Sequence, residues 1–419
     1  MKIKLAYGRG YLPVELPETR TTVIEPSHNP GLPDERAAVF EALEKPTAAP
    51  ALKDWIKPGS RVCIVFTDIT RATPNHRLIP WLLQYLSTTK PGEIILLNGL
   101  GTHRPNTRDE LEQLLTPEVV RSYRVLNHEP ENAKALVTLG TTRDGTPALL
   151  NRHLVEADVR IITGFIEPHF FAGFSGGPKG IMPGVAGLET VMSNHGARNI
   201  ADPSSTFGVT EGNPIWEDMR DIALRVGQSF LLNVALNEQR QITGVFAGDL
   251  LAAHRVGCEF VRKSAMQPVQ APFDLVLTTN SGYPLDLNLY QAVKGMSAGA
   301  RVLKQGGTLV MACECSDGVP TGSSFDQILR TAANPEEMLF RLTSSSVQPE
   351  QWQAQIQALI QRKATILLHS SLSDEQVRAA HLTPCPDIQS TVTQFLTVRS
   401  NGTRIGVLPQ GPLTIPYLI

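Results

Sequence analysis

Three side chains able to do chemistry crowd one glycine-rich stretch of this chain. From Gly164 to Gly196 the sequence reads GFIEPHFFAGFSGGPKGIMPGVAGLETVMSNHG, which sets His169, Lys179 and His195 around the turns FAGFSGG and MPGVAG. Glycine lets a backbone approach a ligand closely and adopt positive φ. Two imidazoles and an amine beside such a backbone suit a phosphate, a metal or a covalently held cofactor. Lys179, flanked by Gly177 and Gly180, is placed for phosphate binding or covalent attachment. The run GGPKG is not the phosphate loop Gly-x-x-x-x-Gly-Lys-Ser/Thr, and no HExxH or GxSxG element organises the histidines for hydrolysis.

Two further loops carry polar groups. Asp68, Thr70 and Arg71 lie in DITRATP, where a guanidinium would grip a carboxylate or phosphate with two prongs. His103 lies in GTHRPNT. In LYQAVKGM, helical spacing puts Tyr290 and Lys294 on one face with Gln291 beside Lys294, a set of donors suited to an anionic substrate. Trp352, read from its type alone, belongs to a core. The pair Cys313 and Cys315 reads as buried strand residues, because no second pair stands at metal-ligand spacing.

These residues need elements to position them. RVCIVFTD, EIILLNGLG and ADVRIITGF are short β-rich apolar runs and read as buried strands, each ending in one of the polar loops. HRLIPWLLQYL and TRDELEQLL read as helices, the second opened by a capping box of Thr107 and Glu110. GLETVMSNH is a helix with His195 near its end. In an open α/β sheet, ligands bind beyond the carboxyl ends of the strands, so the three loops are expected to converge. SAMQPVQAP, residues 264–272, reads as a linker to a second α/β set that begins with the strand FDLVLTTN. NLYQAVKGM, PEEMLFRLT and QWQAQIQALIQR follow as helices, GGTLVMACE and ATILLHSS as strands. The expected fold is two α/β domains with mostly parallel sheets and a cleft between them that opens and closes. The first domain spans 1–268, the second spans 269–407, and a tail of 408–419 returns to the first.

Composition narrows the function classes. With 419 residues, 42% hydrophobic and 19% charged, the chain has ample material for globular cores, and a net charge of −2 gives no broad attraction to nucleic acid or anionic membrane. The five scattered cysteines do not form a disulfide framework. No signal-like or membrane-spanning run is visible, so a cytoplasmic setting is expected.

Taken in order, DITRATP, GTHRPNT, GFIEPHFFAGFSGGPKGIMPG, SNHG and LYQAVKGM resemble the nickel-pincer-nucleotide-dependent lactate racemase family over most of the chain. The resemblance implies a racemase or epimerase of a 2-hydroxy acid. Its cofactor would be a nickel-pincer nucleotide, pyridinium-3-thioamide-5-thiocarboxylic acid mononucleotide with nickel, built by other proteins. Carried over residue by residue, Lys179 would hold the cofactor covalently and His195 would ligate nickel. Asp68, Thr70, Gly176, Gly177 and Trp352 would contact the cofactor. His103 and His169 would be alternating acid and base, and Arg71, Tyr290, Gln291 and Lys294 would bind substrate. Pro178 stands where the family's lactate racemases often carry a basic residue, which leaves open which 2-hydroxy acid is used. Two other readings fit the residues: a non-enzymatic protein binding a nucleotide or phosphorylated metabolite, and a metal-dependent lyase or hydrolase.

Overall fold

A computed structural model describes residues 1–399 and 402–419. The chain divides into two bodies, His28–His195 with Ser204–Arg262, and Met1–Ser27 with Gly196–Pro203 and Lys263–Ile419.

The first body is built on a six-stranded sheet in the order Ile242–Asp249, Phe230–Leu236, Val159–Phe165, Arg61–Thr67, Glu93–Gly99, Arg124–Asn127. All neighbours are parallel except the first pair, which is antiparallel. In chain order these strands run 6-5-4-1-2-3 across the sheet. The winding therefore reverses between Arg61–Thr67 and Val159–Phe165, and such a switch point leaves a crevice at the carboxyl ends of the strands. Val62, Ile64 and Phe66 alternate onto one face and pack with Leu78, Ile79 and Leu82 of the helix Asn75–Leu86. The capping box closes as expected: the Thr107 side chain accepts from Glu110 N–H, and the Glu110 carboxylate accepts from Thr107 N–H.

The second body holds a six-stranded, all-parallel sheet in the order Thr383–Pro384, Ala364–His369, Leu303–Ala312, Phe273–Thr279, Ile405–Leu408, Thr21–Val23. The hairpin Lys2–Tyr7 and Gly10–Glu15 lays Ile3, Leu5 and Val14 against Leu275, Leu277 and Val310 of this sheet.

Several sequence expectations are corrected here. Near the expected boundary at 268, the strand Met266–Val269 pairs in parallel with Ile415–Leu418. The tail of 408–419 thus stays with the second body and is a strand at its end, not an extended return to the first. Residues 1–27 also belong to the second body, because Thr21–Val23 adds an edge strand beside Ile405–Leu408. Cys313 and Cys315 are buried, but they lie just beyond their strand, which ends at Ala312. Among the described residues no helix is long and apolar enough to cross a membrane.

Candidate active site

Asp68, His103 and His169 each follow the carboxyl end of a strand, and two of those strands flank the switch point. Asp68 is 2% exposed. Its Oδ1 accepts from Thr70 N–H at 2.7 Å and from the Thr70 hydroxyl at 2.5 Å. Its Oδ2 lies 3.0 Å from His103 Nδ1. Burial by itself would push the Asp68 carboxyl up. The His103 ring, the Arg71 charge and the Thr70 hydroxyl outweigh it and hold the group well below the usual carboxylate range. An ionised carboxylate only accepts, so His103 Nδ1 carries the proton and Nε2 carries the lone pair. The His103 side chain is 40% exposed, so a small molecule can reach it.

A polar network fixes the distance between these two loops. Asn106 Oδ1 accepts from Ile69 N–H at 3.3 Å and from Asn98 Nδ2 at 2.9 Å. One buried amide thus ties the Asp68 loop to the His103 loop. Neither Asn98 nor Asn106 stood out in the sequence, because each is an ordinary loop or strand-end residue until the strand order brings them together.

His169 is held differently. It sits in a two-residue bridge, Pro168–His169 against Gly173–Phe174, and its Nδ1 accepts from Ala172 N–H at 3.2 Å. The proton of the neutral ring is then on Nε2, opposite to His103. The ring packs on Phe170 at 5.0 Å and meets the edge of Phe171 at 4.6 Å. Phe171 in turn lies 5.0 Å from His195, edge to face, so one phenyl ring joins the two imidazoles.

Lys179 lies in a short 3-10 turn, Gly177–Gly180, that opens after Gly176 at φ +74° and Gly177 at φ +54°. His195 caps the helix Leu188–Asn194 and is buried. Burial first, and the Lys179 charge second, push its imidazole down to about 3. It is therefore neutral at ordinary pH, the form that ligates a metal. Among the described residues no three His, Cys, Asp or Glu side chains are grouped to hold a metal, so a metal at His195 would take its other ligands from a bound group. A half-buried lysine on a glycine turn, within electrostatic reach of a buried neutral imidazole, fits a tethered, metal-bearing nucleotide.

The second body carries the remaining expected residues. Asn288 caps the helix Leu289–Ala300 by accepting from Gln291 N–H at 3.1 Å. Tyr290, Gln291 and Lys294 are half-buried along its first turns. Trp352 Nε1 donates to the Tyr290 hydroxyl at 3.2 Å, and Gln353 donates to the Tyr290 carbonyl at 2.7 Å. Trp352 is buried, as its type suggests, yet its one polar atom is directed at Tyr290.

Known proteins match this chain over nearly its whole length. Residues 7–208 match the model of the lactate racemase N-terminal domain, and residues 269–415 match that of the lactate racemase C-terminal domain. The lactate racemase of Thermoanaerobacterium thermosaccharolyticum is 34% identical over 418 residues, covering 98% of this chain and 97% of that one. That of Lactiplantibacillus plantarum is 34% identical over 382 residues, 90% of each chain. The solved lactate racemase apoprotein from Thermoanaerobacterium thermosaccharolyticum superposes with a TM-score of 0.92 at 33% identity, over 99% of this chain and 100% of that one. A solved protein from Thermotoga maritima shares the fold, with a TM-score of 0.68 at 20% identity over 94% of this chain and 100% of that one.

Proposed function

The chain belongs to the lactate racemase family and is an isomerase, and we propose that it racemises or epimerises a small 2-hydroxy acid at C2. The observation that carries the reading is the Asp68–His103 pair at the switch point. A buried carboxylate fixes the tautomer of an accessible imidazole, which is then ready to take a hydroxyl proton and return it.

The C2 proton of a 2-hydroxy acid is very weakly acidic, so inversion by simple deprotonation is costly. We assign Lys179 as the covalent attachment of a nickel-pincer nucleotide and His195 as the protein ligand to its metal. Asp68, Thr70, Gly176, Gly177 and Trp352 are assigned as further contacts. When bound, such a group supplies a reversible acceptor for the C2 hydride. The chain's own residues then manage the proton and the carboxylate. His103 removes the hydroxyl proton from one enantiomer and His169 from the other, since attack on opposite faces needs one base per face. Asp68 stabilises the imidazolium that forms on His103. Arg71 orients the carboxylate near His103. In the second body, Tyr290, Gln291 and Lys294 are assigned to the substrate, with Trp352 holding the Tyr290 hydroxyl in place. Five free, buried cysteines suit a reducing compartment, and we assign the chain to the cytoplasm with proteins that build the nucleotide as its partners.

The test is the full chain co-produced with those proteins. Stoichiometric nickel, a nucleotide-sized mass on Lys179, and inversion of at least one acid in a chiral 2-hydroxy acid panel are expected. An unmodified Lys179, beside a lactate racemase that loads normally in the same cells, would favour a protein that merely binds a nucleotide or phosphorylated metabolite.

A further inference from the structure

We infer that Asn233 and His254 are positioning residues for Lys179, forming a polar floor that holds the Ser175–Gly180 turn in the one shape that presents the lysine. The inference rests on the assignment of Lys179 as the attachment point.

The floor comes from two elements far away in sequence. Asn233, on the strand Phe230–Leu236, is fully buried, and its Oδ1 accepts from Gly177 N–H at 2.8 Å. Its partner across the parallel ladder is Gly164, where a Cβ would stand 3.4 Å from Asn233 Nδ2. His254, on the helix Leu250–Ala265, is 2% exposed, and its Nε2 donates to the Ser175 carbonyl at 2.9 Å. Burial pushes this imidazole down to about 4, so the ring is neutral with its proton on Nε2. Cys258, one turn further on, backs the ring at 3.4 Å from Nε2.

The turn is shaped to this floor. A Cβ at Gly177 would sit 2.4 Å from His254 Cγ, and one at Gly176 would sit 2.3 Å from Asn233 Oδ1. Both glycines also have the positive φ that other residues resist. Lys179 N–H closes the turn on the Gly176 carbonyl at 3.1 Å. Ser175 locks the other end: its hydroxyl donates to the Phe165 carbonyl and accepts from Glu167 N–H, each at 2.9 Å. The same floor therefore fixes Lys179 relative to the strand end that leads to His169. A turn that only had to connect two elements could be packed from below by apolar side chains. This one receives a buried donor at the Ser175 carbonyl and a buried acceptor at the Gly177 N–H, on the two peptides that flank Gly176, an arrangement that sets direction as well as burial.

The experiment compares Asn233→Leu, His254→Leu and His254→Gln with the parent and with Lys179→Ala, using the full chain made with and without the nucleotide-building proteins. Loaded material is read by peptide mass at Lys179 and by bound nickel. Chain without the group is read by thermal melting and by amide exchange over 173–182. Both leucine variants are expected to melt cooperatively, to lose Lys179 loading on the order of tenfold, and to exchange the Gly177 amide about tenfold faster. His254→Gln, whose amide N–H can reach the Ser175 carbonyl, is expected to recover loading. Leucine variants that load as the parent does, or whose turn amides exchange at the parental rate, would overturn the inference. Should a leucine variant fail to melt cooperatively, Asn233→Ser, with a hydroxyl too short to reach Gly177, gives the same readouts. If the parent itself never loads Lys179, the attachment reading fails, and amide exchange alone then decides whether the floor holds the turn.

Discussion

His103 hangs from a buried carboxylate, whereas His169 packs on the touching rings of Phe170 and Phe171 and accepts from the Ala172 N–H. Both rings sit beyond strand ends of the same sheet, yet they are held by different partners. At His103 the anion of Asp68 fixes the tautomer by accepting from Nδ1. At His169 the contacts with Phe170 and Phe171 fix the ring plane, while Nδ1 accepts from the Ala172 N–H. On the proposed reading, the two bases that would serve opposite enantiomers are therefore not built alike. One is tuned by charge and the other by shape, so perturbations that cripple one side should leave the other's defining property in place.

The largest expected effect comes from removing the charge. Asp68→Asn keeps the size of the side chain but frees the His103 tautomer, and kcat should fall by about 10²–10⁴ with either enantiomer while nickel and the Lys179 modification are retained. The same change alters the pH response of stability. The folded-state Asp68 carboxyl lies below its ordinary 3.8, so its contribution is present above that pH and is lost as pH falls below it. Melting curves of Asp68→Asn should therefore lose stability less steeply than the parent below pH 3.8. An unchanged acid limb would mean that the pair with His103 is not formed in solution.

On the shape side, Phe171→Ala removes the ring shared by His169 and His195. Phe171 is buried, so denaturant unfolding should report a loss of about 3–5 kcal/mol. The acid limb contributed by Asp68 should persist, which separates the two designs. A loss below about 1 kcal/mol would show that the ring is not packed against both imidazoles.

A smaller effect is expected at the link between the loops. Asn106→Ala leaves the Ile69 N–H without this acceptor and Asn98 Nδ2 with Asn127 Oδ1 in its place, and should cost about 1–3 kcal/mol, with a modest rise in KM. Unaltered stability and KM would disconnect Asn106 from the positioning of Asp68. Smallest is the cap: Thr107→Ala should destabilise by about 1 kcal/mol in thermal melts, with kcat unaffected, because it frays the helix after the His103 loop without touching the ring.

The sequence made one half of this comparison visible and hid the other. The strands ending at Asp68, His103 and His169 were readable because each is a short apolar run that breaks into Gly, Pro, Thr or Asn. The capping box at Thr107 was readable because it is local. Lys179 was conspicuous because its glycines are local too. What could not be read was the order of strands that places Asp68 against His103, since adjacency in a sheet depends on long-range pairing. For the same reason Asn233 and His254 carried no signal: one pairs with Gly164 across a ladder, and the other lies 79 residues downstream of the Ser175 carbonyl it bonds. The tail was misassigned for a related cause. LTIPYLI reads as extended, but nothing local says that its partner is Met266–Val269.

The central claim is that inversion at C2 proceeds by removal and return of hydride while the two histidines carry only the hydroxyl proton. It is tested most directly by racemising a C2-deuterated 2-hydroxy acid in ordinary water with the loaded chain and following both configuration and label. Inversion with deuterium retained at C2 is expected. Loss of deuterium to solvent in step with inversion would contradict the claim and assign the histidines to direct deprotonation of carbon.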